Sequence, residues 1–330
     1  MNSFKKIENI KTLIECNDSI PCLSPAQTKL GIDGLSYCFP IPDDKETVIL
    51  KTSKYMLKSK LLTKAVDRPD LWKRYKHCFR MTLPNGSGAC ITICLKPRSK
   101  KTKSFSYLDF NPSKMTKDDW YDMHSIMMEL FNGEHLSYMK YGHYSRVDLC
   151  IDLLDININQ IIAEALGTTK FKIYGSGNAF ETLSFGAKGS RKQISIYNKY
   201  VQIVDTTPGR KTLEDFDFSH DEKTRIELKL RQKTSQKQLK AIPALLSTLN
   251  VALLDTVPDK LNADEQNFID AVSIHGLQKV IKRYKSSKTR KKRRELIDKI
   301  IYAQINFDHL VDDWPKLCRK IKRRLLKPPR

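Results

Sequence analysis

The 330-residue chain predicts an α+β fold: a central antiparallel β-sheet with helices packed on one face, followed by a basic helical C-terminal region. Three observations carry that expectation. Several short segments alternate apolar and polar residues with the period of a half-buried strand. Pro84-Asn85-Gly86-Ser87 sets a hairpin turn between two apolar runs. A capped amphipathic helix stands among the strands, without the regular strand–helix repeat that a parallel sheet would need.

Taken in order, the first 30 residues hold Pro21 and Pro25 without a sustained period and read as an N-terminal arm. Residues 31–39 alternate and stop at Pro40, as a first strand would; residues 45–77 are Lys-rich and lean helical, with Leu57, Leu61 and Leu62 as a buried stripe. Residues 79–83 and 88–95 form the hairpin. A basic loop, 97–103, leads to a strand from Phe105 that ends at Pro112. Thr116 then caps a helix over 117–132 with Asp118 and Asp119 in its first turn, where the helix dipole favours negative charge. Trp120, Met123, Met127, Leu130 and Phe131 give that helix a face for the sheet, and His124 lies beside the stripe as a core or boundary residue. After a strand at 145–153, Asn157 or Asn159 starts a short helix over 160–166 ending at Gly167; strand-like pieces follow at 171–174, 180–185 and 194–200.

The candidate chemistry lies on the polar sides of three strands. In 145–153 the alternation separates Val147, Leu149, Ile151 and Leu153 from Arg146, Asp148, Cys150 and Asp152. In 224–230 it separates Ile226, Leu228 and Leu230 from Arg225, Glu227 and Lys229; in 193–199 it sets Ile194 and Ile196 against Gln193, Ser195, Tyr197 and Lys199. If the three strands share a sheet, one face collects the carboxylates of Asp148, Asp152 and Glu227, several cations and the Tyr197 phenol. Such a face could be the wetted side of an antiparallel sheet. It could equally hold a hard divalent cation. A phenol of ordinary pKa near about 10 needs a neighbouring cation or metal before it can attack a phosphodiester, and Lys199 stands two residues from Tyr197.

Composition points to a polyanionic partner: Lys plus Arg is 59 against 37 Asp plus Glu, a formal net charge of +22. Residues 279–330 alone carry 19 Lys plus Arg against 5 Asp plus Glu, densest at Arg290, Lys291, Lys292, Arg293 and Arg294. So many like charges repel one another unless phosphates screen them, which makes this tail a phosphate-backbone binder. No run is long and apolar enough to span a bilayer and the chain starts without a signal-peptide apolar region, so a cytoplasmic protein with no membrane partner is expected. The eight cysteines include no Cys-x-x-Cys and read as reduced thiols without chemistry. Near residue 236 the character changes: 241–254 is apolar and helix-compatible despite Pro243, Pro258 breaks it again, and a helix carrying Phe268, Ile269, Val272 and Ile274 starts at Asn262 or Asp264.

Four short motifs in fixed order, Asp109-Phe110-Asn111-Pro112-Ser113-Lys114, Arg146-Val147-Asp148-Leu149-Cys150-Ile151-Asp152, Ile196-Tyr197-Asn198-Lys199 after Ser190-Arg191-Lys192, and Arg225-Ile226-Glu227-Leu228, resemble those of rolling-circle replication initiators. The filamentous-phage gene II type, its cholera-phage relatives and plasmid replication-initiation factors are the nearest in pattern. The resemblance covers roughly residues 30–235 and implies a catalytic nuclease domain over 31–235; with the arm (1–30) and the basic helical DNA-binding region (236–330) read from sequence character and charge, three regions are expected.

It further implies a bacterial-host DNA endonuclease and strand transferase of phage or plasmid type. Tyr197 would be the nucleophile, leaving a 5′-phosphotyrosine and a free 3′-hydroxyl primer, with Lys199 as its electrostatic partner. Asp148, Asp152 and Glu227 would hold Mg²⁺ or Mn²⁺, and Arg146, Arg191, Lys192 and Arg225 would join the tail in binding DNA. The implied partners are single-stranded and supercoiled origin DNA, with a host helicase and polymerase. One departure stands out: many such nucleases use a His-apolar-His strand, and here the histidines are dispersed at 77, 124, 135, 143, 220, 275 and 309. Tyr200 is a candidate second nucleophile, although a continuous strand would turn it away from Tyr197. Two rivals remain open on sequence: a non-catalytic DNA-binding repressor or replication accessory protein, and a relaxase or transposase with the same chemistry.

Overall fold

The protein is described here from a computed structural model that covers residues 28–327, except 86–88, 100–105, 166–167, 169, 176–180, 188, 208, 210–211, 214–215, 217–221, 236–237, 240, 254–260, 276 and 301–307. The strands are β1 (Thr28–Phe39), β2 (Leu62–Lys64), β3 (Tyr75–Met81), β4 (Thr92–Pro97), β5 (Ser106–Phe110), β6 (His143–Leu154), β7 (Ile161–Ala165), β8 (Phe171–Tyr174), β9 (Thr182–Phe185), β10 (Lys192–Asn198), β11 (Lys223–Leu230) and β12 (Leu249–Leu253). Ten of them form one sheet in the order β2-β3-β4-β5-β1-β6-β11-β10-β9-β8, and every pairing in it is antiparallel. The helices are α1 (Glu46–Lys58), α2 (Pro69–Trp72), α3 (Lys117–Leu130), α4 (His135–Met139), α5 (Lys199–Thr206), α6 (Ala263–His275), α7 (Leu277–Arg283), α8 (Ser287–Ile300) and α9 (Asp308–Leu326). The expected α+β architecture is the observed one.

The alternation in the central strands decides where the core lies. Val147, Leu149, Ile151 and Leu153 of β6, Ile226, Leu228 and Leu230 of β11, and Ile194 and Ile196 of β10 are all buried in one cluster. Onto it pack Ile49 and Met56 of α1, Trp120, Met123, Ile126, Met127 and Leu130 of α3, and Trp314, Cys318, Ile321 and Leu325 of α9. Each fully buried aliphatic side chain contributes about 1.5–3 kcal/mol, so this face dominates the stability of the fold. Thr116 caps α3 as its sequence predicts: its hydroxyl accepts from the Asp119 amide, and the Asp119 carboxylate accepts in turn from the Thr116 amide at 2.7 Å.

Several expectations are corrected. Residues 161–165 form a strand, not a helix, because Ile161 and Ile162 pair with β12 in a separate two-stranded ladder; β-branched residues and a partner strand outweigh the local helical reading. The helix-compatible run after residue 241 is accordingly a 3₁₀ helix, Pro243–Thr248, followed by β12. The Lys-rich 45–77 segment divides into α1, β2 and α2. The strand expected to run to Tyr200 ends at Asn198, whose side chain accepts from the Tyr200 and Val201 amides at 2.9 and 3.2 Å and so starts α5. The arm up to residue 27, Gly86 and Ser87 of the hairpin turn, all three Lys residues of the basic loop, Gly167 and Pro258 lie outside the described residues.

In the C-terminal region α6, α7 and α8 share a second cluster of Phe268, Ile269, Val272, Leu277, Val280, Ile281 and Ile297, joined by Ile162 of β7. Among the described residues no helix is long and apolar enough to cross a membrane.

Candidate active site

The polar faces of β10, β11, β6 and β1 do lie side by side, and the strand register arranges them in rows. Tyr197 is in register with Arg225, and Arg225 with Asp152. Ser195, Glu227, Cys150 and Gly31 form the next row; Gln193, Lys229, Asp148 and Gly34 form the third. Tyr197, Asp148, Asp152 and Glu227 are therefore on one face, the arrangement that alternation required. It is not a wetted face: Asp148, Asp152, Glu227 and Arg225 are all buried, and Tyr197 is 8% exposed.

Burial of that much charge demands pairing, and each carboxylate has a cation. Arg225 donates from Nε and Nη2 to the two Asp152 oxygens at 2.5 and 2.8 Å, a bidentate pair. Asp148 is paired with Arg146 through Nη2 and, at 2.8 Å, Nε; Glu227 is paired with Lys229 at 2.9 Å. Gly34 makes room for the first of these, since a Cβ there would lie 2.7 Å from the Asp148 carboxylate and 2.9 Å from the Arg146 guanidinium. Arg146 also approaches Asp109 at 3.7 Å, and Asp109 binds Arg68 at 2.8 Å and accepts from the Ser36 hydroxyl at 2.5 Å.

Around Tyr197 the nearest cation in the ladder is Arg225. Lys199, the first residue of α5, folds back with its Nζ 5.8 Å from the Tyr197 ring centroid, 2.8 Å from Gln202 Oε1 and 3.8 Å from Asp33. Burial pushes the Tyr197 phenol well above its ordinary value; Glu227, Asp33 and Cys150 push the same way and Arg225 opposes them. The phenol is thus neutral at rest. Tyr200 is buried in the first turn of α5, with Lys223, two residues before Arg225 on β11, 5.2 Å from its ring.

Two observations bear on a metal. Among the described residues no three His, Cys, Asp or Glu side chains are arranged to hold one. Yet among the described residues Oδ1 of Asp148 is buried without a hydrogen-bond partner, and burial raises the Glu227 carboxyl, with Asp148 adding to the shift against the pull of Lys229. Both are marks of a site short of positive charge. Asp152, by contrast, has both oxygens engaged by Arg225.

The DNA-binding candidates divide. Arg191, Arg290, Lys291, Lys292 and Arg294 are exposed, with Lys291 3.8 Å from Glu295 one turn on. Arg225 is buried in the site, and Arg146 is half-buried against Asp148 and Asp109. Lys192 donates to the Leu245 carbonyl at 3.2 Å and Thr248 Oγ1 at 2.8 Å. Arg293 is buried, paired with Asp264 and lying over the rings of Phe268 and Tyr284 at 5.1 and 5.7 Å. It fastens α8 to α6.

Sequence reasoning missed Asp33. It falls where β1 slips against β6, between the pairs Ile32–Leu149 and Gly34–Asp148, and its carboxylate binds Arg225 Nη1 at 2.9 Å and the Asn111 side-chain amide at 2.8 Å. The signal was present in Gly31-Ile32-Asp33-Gly34, since glycines inside a strand pattern mark bulges.

No protein-family model matches the chain. It is similar to a curated protein from Staphylococcus aureus named "Replication initiation protein", with 27% identity over 125 residues, which span 38% of this chain and 35% of that protein. The matched stretch is thus about a third of the relative's length. The solved structure of a rolling-circle replication initiator protein from Geobacillus stearothermophilus overlaps 74% of this chain and 97% of its own at 14% identity, with a TM-score of 0.37. That superposition is too loose to equate individual residues.

Proposed function

We propose that the protein initiates rolling-circle DNA replication by nicking one origin strand through Tyr197. The observation that carries this reading is the first row of the site: the Tyr197 phenol in register with a guanidinium that is itself held by Asp152. The Staphylococcus aureus similarity supports the replication role independently of that geometry.

In the proposed step Tyr197 Oη forms a bond to the scissile phosphorus as the P–O3′ bond breaks. The phenol proton is lost, and the 3′ oxygen takes up a proton to become a primer hydroxyl. Arg225 faces the charge that collects on the phosphoryl oxygens, acting as a preorganised cation in a dry site. Lys199 supplies a second cation, its ammonium 5.8 Å from the ring centroid. Asp152 fixes Arg225 and keeps it charged despite burial. Asp148 and Glu227 fit a hard divalent cation, Mg²⁺ or Mn²⁺; Mg²⁺ is commonly held by one or two carboxylates together with substrate phosphate, not by an all-protein cage. When bound, such an ion polarises the phosphate and lowers the cost of the phenolate. The exposed cations of α8 grip flanking phosphates.

The test is a covalent protein–DNA adduct that survives detergent, formed on supercoiled DNA bearing the cognate origin with Mn²⁺ or Mg²⁺. It is expected with the wild-type protein and absent with Tyr197→Phe. An adduct in the Phe variant would move the nucleophile elsewhere, and DNA binding without nicking under any divalent ion would leave a binding protein in place of a nuclease.

A further inference from the structure

Arg225, buried, and Lys199, half-buried, stand beside one phenol, and like charges in such a setting repel: burial lowers the Lys199 ammonium pKa first, and Arg225 lowers it further. Something must hold them together. Among the described residues the side chain in an ion pair with both is Asp33, with Arg225 Nη1 at 2.9 Å and Lys199 Nζ at 3.8 Å from its Oδ2.

Asp33 reaches that position through a built feature of the backbone. In β1 it is the extra residue of a β-bulge, so the ladder resumes at Gly34 opposite Asp148 while Asp33 stands outside the pairing. The segment after β5 secures the bulge at two points. Asn111 Nδ2 donates to Asp33 Oδ1 at 2.8 Å, and Ser113 Oγ donates to the Ile32 carbonyl at 2.7 Å. A carboxylate fixed from three directions is a rigid post, and bulges recur where a side chain must be re-aimed beside a site.

We propose that Asp33 is a positioning residue for the nicking step, a shared counter-ion that holds Arg225 and Lys199 together beside the Tyr197 phenol. This rests on the nuclease reading of Tyr197. Asp33 touches no reacting atom; its effect is to set where the two cations stand when phosphoryl charge develops.

The experiment compares Asp33→Asn and Asp33→Glu with the wild-type full-length chain. Asn keeps the size of the side chain and an acceptor for Asn111, but removes the charge. With a single-stranded oligonucleotide that the wild-type protein cleaves, single-turnover adduct formation is expected to fall about 100-fold in the Asn variant, the usual scale for a misplaced catalytic group. Affinity for the oligonucleotide should stay within about threefold, and the Glu variant should recover at least about tenfold of the lost rate, on the same scale. A wild-type rate in the Asn variant, or a rate loss matched by an equal loss of affinity, overturns the proposal.

A second readout needs no cleavage. The guanidinium Nη signals of Arg225 in ¹⁵N NMR, assigned by their loss in Arg225→Lys, should show hindered rotation in the wild-type protein and averaging in Asp33→Asn. Identical signals in both overturn the positioning role. A protein that forms no adduct yet shows the Arg225 change would refute the nuclease reading and leave the Asp33 arrangement standing.

Discussion

Arg225 stands in register with Tyr197 on one side and Asp152 on the other, so a single guanidinium links the proposed nucleophile to a buried carboxylate. Its three nitrogens are divided between Asp152 and Asp33. Replacing it by Ala leaves two acids without their principal cation in a dry site, and breaking such a buried pair costs about 3–5 kcal/mol. Arg225→Lys keeps the charge but cannot make the bidentate bond to Asp152. Urea unfolding should show the Ala variant severely destabilised and the Lys variant much less so, with adduct formation lost in both. A Lys variant with wild-type nicking would mean that charge alone suffices and orientation does not matter.

Glu227 gives the site a pH signature. Its folded-state pKa is raised, chiefly by burial, so the folded protein binds this proton more tightly than the unfolded chain does. Stability from this group is therefore full below the ordinary carboxylate range and is lost as pH rises through the folded value. Glu227→Gln removes that loss: at pH 7 the variant should unfold at the same or a higher temperature than wild type, with the difference vanishing near pH 4. If Asp148 and Glu227 hold a divalent ion, Mn²⁺ should raise the wild-type melting temperature at pH 7 and leave the Gln variant unchanged. Thermal melts with and without Mn²⁺ across that range decide both points.

The basic block of α8 separates into two kinds of residue. Arg293 is 6% exposed, paired with Asp264 and stacked over Phe268 and Tyr284, so Arg293→Ala should cost about 1–3 kcal/mol through lost cation–π and packing contacts. Arg290, Lys291 and Lys292 are exposed, and their Ala variants should leave stability within about 0.5 kcal/mol. Each is expected instead to weaken DNA binding and to reduce the salt slope by about 1. Anisotropy titrations over a salt series, alongside urea unfolding, distinguish the two groups.

What the sequence could show followed from local periodicity. Alternation in β6, β10 and β11 put Tyr197, Asp148, Asp152 and Glu227 on one face correctly, because the period of two leaves no other choice once these strands pair. Thr116 and Asp119 announced the start of α3 for the same reason: a cap needs only its neighbours. What stayed hidden depended on distant partners. Ile161 and Ile162 became a strand because Leu249–Leu253 lay beside them, and Arg225 became part of the site because Asp152 and Asp33 claimed it before any phosphate could. Charge counting could not tell buried Arg293 from its exposed neighbours, since a helix face is assigned by packing and not by composition.

The back of the sheet carries a second titratable pair, and it ties down the C-terminal helix. His124 of α3 lies 2.7 Å from the Arg324 carbonyl of α9 through Nε2 and 3.2 Å from His135 Nε2 through Nδ1. A carbonyl can only accept, so Nε2 of His124 carries the proton, Nδ1 is the acceptor, and His135 donates to it from Nε2. That leaves His135 Nδ1 buried without a hydrogen-bond partner among the described residues, a nitrogen that could be protonated only at the cost of an unsolvated charge beside His124. Burial lowers both imidazoles, His135 to about 4. Folded values below the unfolded one mean that the pair's stabilising contribution is complete above about pH 6.5 and is lost as pH falls toward 4. Urea unfolding at pH 7, 6 and 5 should therefore show a steady loss of stability in the wild-type protein and a flatter profile in His135→Gln. Trp314 reports the same event locally, because it is buried on α9 with its indole N–H donating to the Leu239 carbonyl at 2.7 Å. Its fluorescence should shift to the red on acidification in the wild-type protein before the bulk of the sheet unfolds. A wild-type profile as flat as that of the Gln variant would show that the pair does not couple α9 to pH.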